Sequence, residues 1–144
     1  MEDNNQSQIN QNRETKFGGY NVENIVLLES HFSRDTSKEF IDLNINNEIN
    51  LSHQSYNTGS ENKFGVISTL DYKGKINDVV VLTSTIKMLG VFEKRGEPAL
   101  AEDSFKKINA PAIIYPFIRE HLFNISLKAG FANLLLPTVN FKVD

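Results

Sequence analysis

Three histidines are the first place to look for chemistry: His31, His53 and His121. None stands three or four residues from another, so no helix presents two of them together as a helical metal site requires. Cysteine is absent, which removes disulfides, thiolate nucleophiles and cysteine zinc sites together. Gly18-Gly19 is not followed by the Lys-Ser/Thr of a phosphate loop, and there is no Gly-x-Ser-x-Gly nucleophile elbow. Glu48 and Asp71 are single acids on strand-like segments, where such residues ordinarily solvate a face. Arg119-Glu120 reads better as an ion-paired clamp at a helix interface than as a catalytic pair. These residue types predict a protein that is not an enzyme and takes no cofactor and no metal.

What remains is apolar. Phe92, Leu100, Phe105, Ile108, Ile113 and Ile114 surround a connection of about sixteen residues, long for a link between elements. Such residues are more often core than binding site. Their clustering around a long loop predicts an apolar groove.

The elements that must position them follow from pattern. With 144 residues, 40% apolar and 23% charged, the chain has material for one domain with a real core. Net charge is −3, with the excess of acids in residues 1–86, so nucleic acid is not an expected partner. No run reaches the roughly 18 apolar residues of a membrane helix, and no basic stretch with an apolar run opens the chain. Membrane insertion is therefore not expected, and a cytoplasmic location is. Residues 1–19 are dominated by Asn and Gln and are expected to form a disordered polar tail before a folded domain at 20–144.

Val22–Phe32 reads as a first strand. Phe40–Leu51 alternates apolar and polar residues, the mark of a strand with one wet face and hence of an antiparallel sheet. His53–Asn62 reads as a polar loop, Lys63–Lys73 as strand three, Gly74–Asn77 as a hairpin link and Asp78–Phe92 as strand four. Gly90 near its end suggests a bend or bulge. Short links predict a four-stranded meander. A short helix fits within Ala99–Lys107, and a long one covers about Ile113–Ala129, with Gly130 in the position that closes helices. On this helix Ile114, Ile118, Leu122, Ile125 and Ala129 form a main stripe, and Phe123 and Leu127 a second patch. One sheet needs one stripe. The surplus suggests that Ile118, Leu122, Phe123, Ile125 and Leu127 serve an oligomer interface, or else a single thick core.

The segment Asn109–Glu120, Asn-Ala-Pro-Ala-Ile-Ile-Tyr-Pro-Phe-Ile-Arg-Glu, resembles the stretch that opens the main helix of the SecB export chaperones. Gly90-Val91-Phe92, Gly130-Phe131 and Pro137-Thr138-Val139-Asn140-Phe141 resemble further family motifs in the same order, so the likeness covers about Val22–Phe141. It implies an α+β fold with a four-stranded antiparallel sheet, a crossover loop and one long C-terminal helix. It implies a homo-oligomer, a dimer of dimers, acting as an ATP-independent holdase for unfolded or nascent polypeptides. The groove residues it points to are Phe92, Leu100, Phe105, Ile108, Ile113, Ile114, Leu134, Leu135 and Leu136. Clients would be preproteins for export, with SecA as a second partner, or one dedicated client such as the antitoxin of a toxin–antitoxin–chaperone system. Export members continue past the Asn-Phe motif, whereas the sequence here stops at Asp144, which tilts the expectation toward a dedicated client. The rival reading is a ligand-binding or enzymatic α+β domain of cystatin-like or cone-like shape, in which the helix would come first or between strands.

Overall fold

The computed structural model describes residues 18–36, 44–132 and 134–141. The expected polar tail lies outside these residues, except for Gly18 and Gly19, and Gly19 already belongs to a strand. Four antiparallel strands, β1 (Gly19–Arg34), β2 (Asn46–Asn57), β3 (Lys63–Ile76) and β4 (Val79–Arg95), form one sheet. One helical turn, α1 (Glu102–Ser104), leads through a π segment, Phe105–Asn109, into the long helix α2 (Ala110–Lys128). This is the expected α+β fold, and the helix follows the strands, unlike the cystatin-like rival.

The strand order is β1-β4-β3-β2, which corrects the simple meander. Strands β2 to β4 do form successive hairpins, but β1 pairs with β4 at the far edge. Crossing three strand spacings takes about 15 Å. The chain between Arg34 and Asn46 has reach to spare at about 3.3 Å per residue.

Two strand boundaries also move. Strand β2 continues through His53 to Asn57, where a loop was expected, and the expected start at residues 40–43 lies outside the described residues. The β3–β4 turn centres on Asn77 and Asp78, both at positive φ (51° and 64°), the backbone of a two-residue hairpin turn. Gly74 therefore sits inside β3, beside a register shift.

Gly90 is not a bulge. It pairs regularly with Ile25 and Val66, and the irregularities fall on β1, at Glu23 and Leu28. A Cβ at Gly90 would lie 2.8 Å from the Phe92 ring and 2.9 Å from Ile114. The glycine lets α2 approach the sheet.

Helix α2 lies across the sheet on the line Ala110, Ile114, Ile118, Leu122 and Ser126, each four residues apart and all buried. Beneath it are Val66, Leu70 and Tyr72 of β3 and Leu82, Ile86, Met88 and Phe92 of β4. Pro116 sits inside α2 on the side away from the sheet, where water can serve the carbonyl it leaves unbonded. Gly130, at φ 94°, takes the left-handed conformation expected at the helix end. Arg34 of β1 donates to the Ala129 carbonyl there and lies 5.1 Å from the centre of the Phe131 ring. Edge strand and helix end are thereby joined.

Candidate functional site

The connection from β4 to α2 is fastened by aromatic packing. Phe105 stacks on Tyr20 with ring centres 4.2 Å apart and meets Phe92 edge-on at 5.2 Å and Phe64 at 5.8 Å. The Tyr20 hydroxyl donates to the Leu100 carbonyl at 2.7 Å. Lys106 lies over the Phe64 ring and pairs with Glu102 at 3.2 Å. Ala110 donates to the Phe105 carbonyl, closing the π turn one residue before Pro111, which has no amide to give. Such turns often mark functional segments.

This divides the nine groove residues expected from sequence. Phe92, Phe105, Ile114, Leu134 and Leu136 are buried in the chain's own core. Ile108 and Ile113 are half-buried. Leu100 and Leu135 are exposed, at 40% and 54%. Only these last four offer apolar surface to another molecule. The interface set divides too. Ile118 and Leu122 are wholly enclosed under α2, Phe123 and Ile125 are half-buried, and Leu127 is exposed.

Sequence reasoning missed one wall of the site. Between β2 and the α1–π segment lies a cleft of about 410 Å³, lined by Leu51, His53, Ser55 and Val66 on the sheet side and by Asp103, Lys106 and Lys107 on the other. Leu51, His53 and Ser55 are opposite Leu70, Ser68 and Val66, so they share the face of the sheet that α2 covers. The alternation Ile49, Leu51, His53 carries this signal, but the polar residues after Leu51 resemble a loop. Strand β2 is an edge strand, so among the described residues its backbone on the side away from β3 has no sheet partner.

His53 floors the cleft. Its Nδ1 is 2.8 Å from the hydroxyl of the buried Ser68, and its ring meets Phe141 edge-on at 5.5 Å. Burial holds its pKa below the ordinary histidine value of 6.5. The folded chain then binds this proton less tightly than the unfolded chain does. Stability is therefore intact above about pH 6.5 and falls as pH drops through and below that value. The midpoint of urea unfolding is expected to decline on acidification over this range, and His53→Gln to flatten the decline. An unchanged slope in the variant would remove His53 as its source.

A second apolar surface lies along β1. Val22 and Leu27 are opposite Phe92 and Met88, so they are on the helix side of the sheet, yet both are exposed. Phe117 of α2 is also exposed. His121 bonds Ser30 of β1 at 2.8 Å, and Phe117 stands one turn before it on the same side of the helix. Among the described residues no group of three or more His, Asp or Glu could hold a metal ion. No described helix is long and apolar enough to cross a membrane.

One antiparallel sheet, one long helix laid across it, a fastened crossover and open apolar surface at both sheet edges define the structural class of the SecB-like α+β proteins. The chain belongs to the SecB family: the family model described as preprotein translocase subunit SecB matches residues 22–143. The protein-export protein SecB of Herminiimonas arsenicoxydans is 33% identical over 84 residues, 58% of this chain and 51% of that one. That of Cupriavidus metallidurans is 25% identical over 141 residues, 95% of this chain and 79% of that one. The chain spans about half the length of the first relatives it matches. Among solved structures, the Mycobacterium tuberculosis Rv1957 SecB-like chaperone, in complex with a ChAD peptide from the Rv1956 HigA1 antitoxin, has the same fold. Its TM-score is 0.70 at 13% identity, covering 83% of this chain and 90% of that one.

Proposed function

We propose that this protein is an ATP-independent holdase chaperone that binds non-native polypeptide in the cleft between β2 and the α1–π segment. The observation that carries the reading is the cleft itself, apolar at Leu51 and Val66 and running beside an edge strand. An extended client can place side chains in the cleft while its backbone lies along β2. Leu100, Ile108, Ile113 and Leu135 add apolar surface without a shaped pocket, which suits varied sequences. Family membership supports a chaperone role, and no step of holding requires catalysis or a cofactor.

The client we favour is a dedicated one, such as an antitoxin, over preproteins handed to SecA. The resemblance assigns SecA contact to acidic residues of the sheet. Here Glu23 pairs with Lys63 at 3.6 Å, Glu29 with Lys87 at 3.6 Å and Glu93 with Arg95 at 3.0 Å. These acids are locally neutralised, which weakens the pull on a basic partner. The chaperone acts as a homo-oligomer, a dimer of dimers, with exposed β1 and the outer side of α2 as its contact surfaces.

The test is suppression of aggregation of an unfolded client without nucleotide. Leu100→Asp and Leu135→Asp alter exposed positions and should leave the fold intact. Each is expected to weaken client binding roughly tenfold, since losing one apolar side-chain contact costs about 1.5 kcal/mol or more. Full activity in both variants would sink the site, and no suppression by the parent chain would sink the function.

A further inference from the structure

Beyond α2 the chain returns as an extended segment, Leu134–Phe141, that joins no strand of the sheet. Leu134 and Leu136 are buried, and Val139 and Phe141 pack partly buried against the core, while Leu135, Pro137, Thr138 and Asn140 face out. The Tyr115 hydroxyl of α2 donates to the Pro137 carbonyl at 2.6 Å. The Phe141 ring sits between helix and sheet, 5.9 Å from Tyr115 and 5.5 Å from His53. His53 also lines the open cleft. The cleft and the segment therefore meet at one residue. His53 thus borders both the open space that runs along β2 from Leu51 to Ser55 and the extended apolar peptide packed against its ring.

We infer that Leu134–Phe141 is an intramolecular occupant of the client groove, which a client long enough to run beyond the open cleft must displace. This rests on the holdase reading above. The segment has the chemistry of that client: an extended backbone anchored by apolar side chains. It reverses the role that sequence resemblance gives the buried Leu134 and Leu136, which become competitors of the client instead of its contacts, while the outward-facing Leu135 stays on the client surface. Apparent affinity for a long client is then the intrinsic affinity reduced by the fraction of molecules in which the segment has lifted. A short client that fits the open cleft bears no such reduction. The device would favour long unfolded segments over short peptides only once binding energy suffices to lift the cover.

The test compares two synthetic peptides from one aggregation-prone apolar sequence. One has about five residues, the span of β2 along the open cleft at about 3.3 Å each, and the other about twenty. Phe141→Ala removes the anchor between His53 and Tyr115. It is expected to tighten binding of the long peptide about tenfold and to leave the short one unchanged. Tyr115→Phe keeps the ring and removes only the bond to Pro137, and should tighten the long peptide about threefold. Helical circular dichroism shows that each variant is folded. Because the chain has no cysteine, Val139→Cys supplies a single thiol on the segment. Its labelling should quicken when the long peptide saturates the protein and stay constant with the short one. Weaker or unchanged long-peptide binding in folded Phe141→Ala and Tyr115→Phe would make the segment a wall of the groove and overturn the inference alone. Slower or unchanged labelling would do the same. Failure of either peptide to bind the parent chain would take down the holdase reading and the inference together.

Discussion

Ile118→Asp is expected to unfold the protein, whereas Leu127→Asp is expected to leave it folded. Both residues are apolar and both belong to the interface set expected from sequence, but their surroundings differ. Ile118 has 0% exposure in the middle of the line that α2 lays on the sheet, and Leu127 is 44% exposed. Replacing Ile118 removes about 1.5–3 kcal/mol of burial. It also places a carboxylate where water cannot reach it, and the total exceeds about 4 kcal/mol. A domain of ordinary stability has about 5–15 kcal/mol to lose. The check is circular dichroism and thermal melting at two protein concentrations well apart. Loss of structure in Ile118→Asp at both concentrations fits a residue enclosed within one chain. A folded but dissociated Ile118→Asp would show that the residue holds subunits together instead.

That contrast locates the limit of the sequence. Periodicity fixed the line Ile114, Ile118 and Leu122, because a helix on a sheet needs apolar residues every third or fourth position. Gly130 was legible as a helix end because few residues take its backbone conformation. The strand order was not legible. Hairpin links identify β2, β3 and β4 as neighbours, but local pattern does not say that β1 crosses to the far side of β4. For the candidate site, the sequence shows apolar character but not which residues stay open once the chain packs. Phe92, Phe105 and Ile114 have the apolar character of a groove and of a core alike, and only packing tells them apart. The cleft wall at His53 and Ser55 was hidden because polar residues on an edge strand look like a loop. The Ile25-Val26-Leu27-Leu28 run predicts a strand, yet its exposed apolar residues emerge only once β1 is known to lie at an edge.

Replacing Val22 and Leu27 together by lysine is expected to split the proposed dimer of dimers into dimers held through α2, while preserving the fold. Strand β1 is 16 residues long and, among the described residues, pairs with β4 alone. Its free edge offers unpaired amides and carbonyls beside Val22, Val26, Leu27 and Leu28, all exposed in the single chain. A long apolar edge of this kind promotes indiscriminate pairing unless something covers it. A second copy of β1 meets the need, since antiparallel pairing about a two-fold axis presents each strand with its own complement. Each substitution then acts twice. Each side chain is about half exposed, so association can bury about half of the roughly 1.5–3 kcal/mol of a full side chain, and two positions across two chains cost about 3–6 kcal/mol, more than a hundredfold loss in affinity at that interface. Four new positive charges facing one another add to the loss. Within one chain about half of each side chain already faces solvent, so helical content should be unchanged and each subunit should still unfold cooperatively on heating. Sedimentation or light scattering reads the mass, and circular dichroism reads the fold. A double variant with the parent's mass would exclude β1 as the contact. A parent that is monomeric at micromolar concentration would exclude the dimer of dimers itself, and with it the reason for an exposed apolar β1.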